Sequence, residues 1–208
     1  MAAMETFTGW HTWPEAAPGL RARLPAGVVD ELARAVEFAT VHHGDQRRKT
    51  GVPYLEHLLE ALQILVEGAG VTDPDVLVAS VLHDVVEDTP CTLADLTAAF
   101  GPRVAELVGW VTIPAAGPGE DPAAIKGSYL RRLPGAPPGA ILVKLADRAS
   151  NVQTLRNLPP DQQRAYYAQT VAYIVPLAAR YPWFAAWYAG WQQEHADLAE
   201  GRSAVKPS

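Results

Sequence analysis

The chain has 208 residues, of which 49% are hydrophobic and 19% charged, and its formal net charge is -6 at pH 7. This length suffices for one domain with its own core, and the negative charge argues against extended binding to nucleic acid or to an anionic membrane surface. A single cysteine, Cys91, cannot form an internal disulfide. The N-terminus lacks the pattern of a signal peptide, and no apolar run reaches the roughly 18 residues that a membrane span requires. We therefore expect a protein of the reducing cytoplasm.

The first half of the chain predicts an irregular arm followed by helices. Residues 1–27 show no sustained period and contain many prolines and glycines, so we expect an irregular N-terminal arm. Apolar residues then recur at helical spacing over 28–43 and again over 56–66. Asp73 and Pro74 have the pattern of an N-cap and a first-turn proline. The helix that they open is apolar nearly all round, which is typical of a central helix.

The second half predicts further helices and one long loop. Thr92 and Asp95 resemble a capping box for a helix that ends at Gly101, after which Pro102 starts another. Residues 113–139 are rich in proline and glycine, so we expect a long, partly ordered loop there. The remaining helices are expected at 141–158, at 162–179 with a kink at Pro176, and after Pro182, with 201–208 as a tail. Because no period-2 alternation appears, the sequence predicts an all-α, single-domain helical bundle over 28–200.

The segment VLHDVVEDTP, residues 81–90, places a histidine and three carboxylates on what reads as the last two turns of the apolar helix. Buried charge is costly unless it is paired or bound to a metal. His83 and Asp84 together offer an imidazole nitrogen and a carboxylate oxygen to one ion. Two ligands do not complete a site, and His57 and Asp147 stand in similarly apolar surroundings. These four residues are the candidate metal ligands.

Each of these residues also has a purely structural interpretation. His57 by itself is typical of a hydrogen-bonded structural histidine. Asp147 by itself is typical of an ion-pair partner for Lys144 or Arg148. The acidic pair after Asp84 would be a solvated helix end. The remaining histidines are interpreted as structural or exposed: His11, His42, His43 and His195.

Three motifs occur in one order: HHGDQRRKTGVPYLEH, VLHDVVEDT and LVKLADRASNVQTL. Together they resemble the hydrolase domain of the RelA/SpoT family, the HD-superfamily enzymes that degrade the alarmone guanosine tetraphosphate. The resemblance covers roughly residues 28–158 and implies a small stand-alone alarmone hydrolase similar to the metazoan SpoT homologues. It implies that His57, His83, Asp84 and Asp147 bind a divalent cation, in this family usually manganese, with zinc and iron left open.

The resemblance also assigns roles around the metal. Glu87 and Asp88 match the family's acidic pair, which positions or deprotonates the attacking water. The expected substrate is a guanosine nucleotide with two or three 5′-phosphates and a 3′-diphosphate (ppGpp or pppGpp), which would give GDP or GTP and pyrophosphate. The expected nucleotide-binding residues are Arg47, Arg48, Lys49, Thr50, Lys144, Asn151 and Thr154. By themselves the three consecutive cations would more simply be a solvated surface patch.

Some features depart from the family pattern or stay open. Ser150 stands where relatives typically have an aromatic residue or histidine, so one side of the base pocket is expected to be roomier. Lys126 and Arg131 are conjectured to reach the pyrophosphate. Two other functions remain: hydrolysis of another nucleotide or phosphorylated cofactor, and an inactive nucleotide-binding sensor. A homo-oligomer is left open, and an aromatic stripe is expected in the core or at a subunit contact: Trp183, Trp187 and Trp191.

Overall fold

The computed structural model describes residues 4–48 and 51–199. Over these residues the chain is helical, and the only β pairing is a bridge between Arg47 and Pro53. The all-α prediction is therefore confirmed. The helices are α1 (Trp13–Arg21), α2 (Ala26–His43), α3 (Tyr54–Gln63), α4 (Pro74–Leu82), α5 (Val85–Asp88), α6 (Leu93–Val111), α7 (Pro122–Arg132), α8 (Pro138–Val152), α9 (Pro160–Gln169), α10 (Val175–Ala178), α11 (Pro182–Glu194) and α12 (Ala196–Ala199).

Helix α4 lies at the centre of the bundle, as its sequence predicts. Asp73 caps it, since its Oδ1 accepts hydrogen bonds from the amides of Asp75 (3.0 Å) and Val76 (3.4 Å). Every residue over 76–82 is buried. The helix packs against α2, α3, α6 and α8. Burying each large aliphatic side chain contributes about 1.5–3 kcal/mol, so this helix fixes the positions of its neighbours.

The apolar helix does not continue through residues 81–90, which corrects the prediction. It ends at Leu82, and Asp84, with backbone angles of φ -100° and ψ -6°, is the N-cap of the short helix α5. The Nδ1 of His83 donates to the carbonyl of Ser80 at 2.7 Å, and that carbonyl is the acceptor that the Asp84 amide would use in a continuing helix. The His83–Asp84 junction therefore lies at a bend.

The prediction of an irregular arm is wrong over Trp13–Arg21, which forms α1. Glu15 caps this helix by accepting hydrogen bonds from the amides of His11 and Thr12, at 2.9 and 3.0 Å. Pro14 stands in the first turn, where no amide donor is needed, and Pro18 lies inside the helix without ending it. Trp10, which precedes α1, is buried in the core.

The prediction of a long loop over 113–139 is also wrong in its middle. Residues Pro122–Arg132 form α7, and the side chain of Asp121 accepts from the Ala123 amide at 2.9 Å. This Asp-Pro start is the same signal that opens α4, but the surrounding glycines and prolines obscured it. Tyr129 and Leu130 are buried, so α7 is docked on the bundle.

Helix α8 ends at Val152, earlier than predicted, because its end is bonded to other elements. The indole Nε1 of Trp191 donates to the Val152 carbonyl at 3.0 Å, and the Gln153 amide side chain exchanges two hydrogen bonds with the backbone of Phe7. Trp187 and Trp191 are buried, which confirms their predicted core role, and Trp183 is partly buried against the same core. The predicted distortion near Pro176 lies slightly earlier, in a π-helical segment, Thr170–Ile174.

Candidate metal centre and adjoining cavity

Four side chains converge beneath the bend between α4 and α5. The Nε2 atoms of His57 and His83 lie 3.1 Å apart. Asp84 places Oδ2 3.2 Å from the His83 nitrogen and 3.5 Å from the His57 nitrogen. Asp147 places Oδ1 3.7 and 3.4 Å from the same two nitrogens. The structure thus brings together all four candidate metal ligands, from three separate parts of the chain.

The packing of three helices explains this convergence. His57 lies in the first turn of α3, His83 and Asp84 at the end of α4, and Asp147 in the second half of α8. Each of the three helices packs against the other two. The side chains of His57, His83 and Asp147 are almost fully buried. The cluster is therefore held by the core and not by a flexible loop.

The hydrogen bonds at the far side of each imidazole determine what faces the cluster. The Ser80 carbonyl can only accept, so Nδ1 of His83 carries a proton, and in the neutral imidazole Nε2 has the lone pair. Nδ1 of His57 is bonded to Ser150 Oγ at 2.8 Å. His57, His83 and Asp147 each place a ligand atom within 4.8 Å of the other two, and Asp84 Oδ2 lies 3.2 and 3.5 Å from the two imidazole nitrogens. Two imidazole nitrogens and two carboxylate oxygens are a donor set that fits a divalent cation.

The charges of the clustered side chains also favour a bound cation. Burial by itself would raise the pKa of Asp84, but His83 and His57 hold that pKa well below its usual range. Burial would lower the pKa of His83, but Asp84 and Asp147 raise it well above 6.5. The two carboxylates therefore create a strongly negative cavity that attracts a proton or a metal cation.

Lys144 provides the permanent counter-charge. Its Nζ lies 2.7 Å from Oδ2 of Asp147, the oxygen that does not face the imidazoles. Burial would raise the pKa of Asp147, and Lys144 is the main group that holds it well below the usual range. Asp147 therefore takes part in the structural ion pair and in the cluster at once, one oxygen in each. The ammonium group also lies over the Tyr129 ring, 5.4 Å from its centroid.

Tyr54 joins the acidic pair to the cluster. Its hydroxyl lies 2.5 Å from Asp84 Oδ2 and 2.8 Å from Asp88 Oδ2, and the burial of the phenol together with these two carboxylates raises the pKa of Tyr54 strongly. Glu87 accepts a hydrogen bond from the Ile113 amide at 2.8 Å. Partial desolvation of the Glu87 carboxyl group by the surrounding protein raises its pKa, and the hydrogen bond from the Ile113 amide offsets part of this rise. Sequence reasoning missed Tyr54, although it lies in the quoted motif PYLEH.

Two cavities open onto the cluster. The first, of about 220 Å³, contains both acidic residues of α5, three of the four clustered side chains, and the cations Lys126, Lys144 and Arg148. The second, of about 200 Å³, is lined by Arg48, Asn151, Thr154, Leu158 and Tyr166. Tyr54, His57, Asn151 and Tyr166 line both, so the cavities adjoin. One can receive charged groups beside the cluster while the other receives a flatter group beside Tyr166.

Arg148 is a buried cation in the first cavity. Its NH2 donates to Gln169 Oε1 at 2.8 Å, and its guanidinium lies 5.4 Å from the centroid of the Tyr166 ring. Its Nε and NH1 atoms are buried without a hydrogen-bond partner among the described residues. The structure assigns the ion pair with Asp147 to Lys144 and not to Arg148, which the sequence left undecided. Sequence reasoning did not identify Arg148 or Tyr166 as cavity residues.

Other predicted binding residues lie elsewhere. Arg47 is exposed and donates to the Gly51 carbonyl at 2.9 Å, so its guanidinium closes its own turn. Arg131 donates to Ser128 on the same helix. Lys49 and Thr50 lie outside the described residues. Ser150 is fully buried and lines neither cavity, and the expected roomier base pocket stays a prediction.

Comparison with known proteins agrees with this geometry. The model of the HD domain family matches residues 35–184. The chain belongs to the HD domain family. A solved structure described as a metazoan orthologue of SpoT that hydrolyses ppGpp superimposes on this HD domain with a TM-score of 0.71 at 26% identity, covering 79% of this chain and 95% of the other.

Curated relatives of this HD domain include human and bacterial proteins. The human guanosine-3′,5′-bis(diphosphate) 3′-pyrophosphohydrolase MESH1 is 39% identical over 133 residues, which are 63% of this chain and 73% of the human protein. A probable GTP pyrophosphokinase of Mycobacterium leprae is 38% identical over 161 residues, 75% of this chain. The guanosine-3′,5′-bis(diphosphate) 3′-pyrophosphohydrolase of Aquifex aeolicus is 37% identical over 151 residues, 73% of this chain. The chain spans about a fifth of the length of these two bacterial relatives, 20% and 21%.

Among the described helices, none combines the length and the apolar character that crossing a bilayer requires.

Proposed function

We propose that this HD domain hydrolyses guanosine 3′-diphosphate 5′-di- or triphosphate to GDP or GTP and pyrophosphate, with a bound divalent cation. The observation that carries the proposal is the convergence of His57, His83, Asp84 and Asp147 on one point, beside the acidic pair of α5. Relatives named as 3′-pyrophosphohydrolases, one of them matched over 73% of its length, support this substrate. In this reaction the nucleotide product, GDP or GTP, differs from the substrate only in lacking the 3′-diphosphate.

The four clustered residues would hold the metal. A divalent cation there would act as a Lewis acid that neutralises phosphate charge and makes water more acidic. Two imidazoles and two carboxylates suit a cation of intermediate hardness, so we propose Mn²⁺, with zinc and iron as the ions that a metal analysis has to distinguish. Lys144 keeps Asp147 ionised and holds its Oδ2, so that Oδ1 faces the two imidazoles.

Glu87 and Asp88 act on the water. The raised pKa of Glu87 makes its carboxylate a better proton acceptor than an ordinary surface glutamate, so we assign it the general-base role. Tyr54 fixes Asp88 by donating to its Oδ2. The water oxygen adds to the phosphorus atom that carries O3′, the phosphorus–O3′ bond breaks, and the ribose oxygen takes a proton. Glu87 receives the proton that the water loses.

The two cavities divide the nucleotide between them. Lys126 and Arg148 line the cavity beside the cluster, where the 3′-diphosphate has to lie, and we assign both to its charge. Arg48, Asn151 and Thr154 line the second cavity and are assigned to the nucleoside, with Tyr166 available for stacking. We place Lys49 and Thr50 in the same binding segment because of the sequence resemblance. Arg47, which is bonded to Gly51, is assigned at most an outer contact with 5′-phosphates.

The direct test is to incubate the purified protein with ppGpp and Mn²⁺ and to measure pyrophosphate and GDP by ion chromatography. We expect equal amounts of both products, and loss of turnover and of bound metal in Asp84→Ala. A folded, metal-loaded protein that releases no pyrophosphate would refute the substrate assignment. A panel of other nucleotides and phosphorylated cofactors then separates a different hydrolase from a nucleotide sensor that binds without turnover.

A further inference from the structure

A buried chain of hydrogen bonds leads from the nucleoside cavity to the metal cluster. NH1 of Arg48 lies 3.0 Å from Oε2 of Glu60. The same carboxylate oxygen lies 2.5 Å from Oγ of Ser150, which lies 2.8 Å from Nδ1 of His57. Arg48, Glu60, Ser150 and His57 thus form a continuous relay, and neither Glu60 nor Ser150 has a part in the chemistry proposed above.

The chemistry of the groups permits one arrangement of the protons. A carboxylate only accepts, so Ser150 donates its single hydroxyl proton to Glu60. The hydroxyl oxygen must then accept from His57, so Nδ1 carries the imidazole proton. In the neutral imidazole the lone pair is then on Nε2 of His57, facing the cluster, and this is the tautomer that metal binding requires.

The charge of the relay is balanced at its outer end. Glu60 is only 8% exposed and Ser150 is fully buried, so an uncompensated carboxylate there would be costly. Arg48 supplies the compensating charge through NH1, and its NH2 approaches Asn151 Oδ1 at 3.4 Å. Asn151 in turn donates to Asp147 Oδ1 at 2.6 Å. One guanidinium is therefore connected to two of the four clustered residues.

We propose that Ser150 and Glu60 are positioning residues: Ser150 holds His57 in its metal-binding tautomer, and Glu60 holds both Ser150 and the nucleotide-binding side chain Arg48. The part that concerns Arg48 rests on the proposed function. The part that concerns His57 requires only that the cluster binds a cation. The two parts therefore have separate tests.

The first test uses Mn²⁺ alone. Ser150→Ala should weaken Mn²⁺ binding about 10- to 100-fold in calorimetric titration, as loss of an outer partner of a metal-binding histidine typically does. Thr170→Val is the matched control, because Thr170 is also fully buried and its hydroxyl donates to the Tyr166 carbonyl, one turn earlier in the chain, at 2.7 Å. The control should bind Mn²⁺ as the wild type does. Unchanged Mn²⁺ affinity in Ser150→Ala would overturn the relay.

A second readout distinguishes positioning from general stability. In the protein loaded with diamagnetic Zn²⁺, the Nδ1 proton of His57 should give a slowly exchanging downfield NMR signal. Ser150→Ala should broaden or remove this signal, while Thr170→Val should retain it. A retained, slowly exchanging signal in Ser150→Ala would show that another group holds the proton and would overturn the role of Ser150.

The third test concerns Glu60. Glu60→Gln keeps the size of the side chain but removes the charge that holds Arg48, so KM for ppGpp should rise about tenfold or more. Ser150→Ala, measured at saturating Mn²⁺, should leave KM near the wild-type value.

Glu67→Gln is the control for loss of a carboxylate. Glu67 lies just beyond the end of α3, the helix that contains Glu60, and pairs with Arg23 away from the cavities. A wild-type KM in Glu60→Gln would overturn its role. Failure of the wild type to hydrolyse ppGpp would instead refute the proposed function and leave the Mn²⁺ test intact.

Discussion

Lys144 and Asp147 form a buried ion pair one turn apart on α8, with 2.7 Å between Nζ and Oδ2. The carboxylate also faces the two imidazoles through Oδ1. One buried aspartate is therefore compensated from two sides, by a fixed ammonium group and by whatever cation the cluster binds. This arrangement keeps the cluster negatively charged without leaving the aspartate unpaired when the cation dissociates.

Lys144→Met should consequently destabilise the metal-free protein. Removing one partner of a buried pair typically costs about 3–5 kcal/mol, because the remaining charge is left uncompensated. Bound Mn²⁺ should restore part of this loss, since it supplies the missing counter-charge. Urea unfolding of the variant with EDTA and with Mn²⁺ measures both effects.

Arg103→Met is the matched control for this prediction. Arg103 and Glu106 have the same spacing and lie 2.9 Å apart, but both side chains are about half exposed. Such a pair contributes about 1 kcal/mol or less, and its loss should not depend on Mn²⁺. Equal losses in the two variants would show that burial of the Lys144 pair has no special importance.

Tyr54 gives a second prediction. A single phenolic proton lies between Asp84 and Asp88, so only one carboxylate can accept it at a time. Tyr54→Phe should leave the fold intact, because the ring is retained, but should release Asp88 and lower kcat by about 10- to 100-fold. Tyr181→Phe removes a phenol that bonds the Pro138 carbonyl outside the cavities and should retain wild-type kcat. Wild-type turnover in Tyr54→Phe would exclude a positioning role for this hydroxyl.

The sequence predicts the elements that are encoded locally. The central helix α4 follows from the Asp73–Pro74 start and from its apolar composition, and both features appear in the structure. The break at Gly101 follows from the need for a positive φ, which is +86° there. The sequence does not predict helices α1 and α7, because Pro14, Pro18 and Pro122 read as helix breakers, although Pro14 and Pro122 lie in first turns, where no amide donor is needed.

The sequence predicts the candidate site less completely. The motif order identified all four clustered residues, since their types and context are distinctive. The partners of these residues could not be predicted, because they depend on how helices distant in sequence face one another. Ser150 lies 93 positions from the histidine that it contacts, and no local pattern reports such a contact. The sequence leaves Arg148 as one of two possible ion-pair partners of Asp147, whereas in the structure it is buried against Tyr166.

The raised pKa of Glu87 predicts the pH dependence of turnover. A general base works only when deprotonated, so activity should be present above the pKa of Glu87 and lost as the pH falls through it. Because that pKa is raised, the loss should begin at a higher pH than for an ordinary glutamate. Profiles of kcat at saturating Mn²⁺ measure this acid limb. Glu87→Gln should lower kcat strongly and abolish the limb, whereas the exposed Glu106→Gln should leave the profile unchanged. An identical acid limb in Glu87→Gln would assign the titration to another group.

Arg148 gives the last prediction, because the fold does not account for its charge. Two of its guanidinium nitrogens are buried without a partner among the described residues, and no carboxylate there forms an ion pair with it. Replacing a buried, unpaired cation by an apolar side chain of similar length removes a desolvation cost. Arg148→Met should therefore unfold at the same or a higher temperature than the wild type.

The same variant should bind substrate more weakly if Arg148 serves the 3′-diphosphate. We expect KM for ppGpp to rise about tenfold or more, while the affinity for GDP, which lacks the 3′-diphosphate, changes little. Arg164→Met, which removes an exposed cation paired with Asp161, is the control for loss of positive charge. A variant with reduced stability and unchanged KM would mean that Arg148 supports the fold through Tyr166 and Gln169. If Arg148 instead serves the ligand, Arg148→Met should be more stable than the wild type and should bind substrate more weakly.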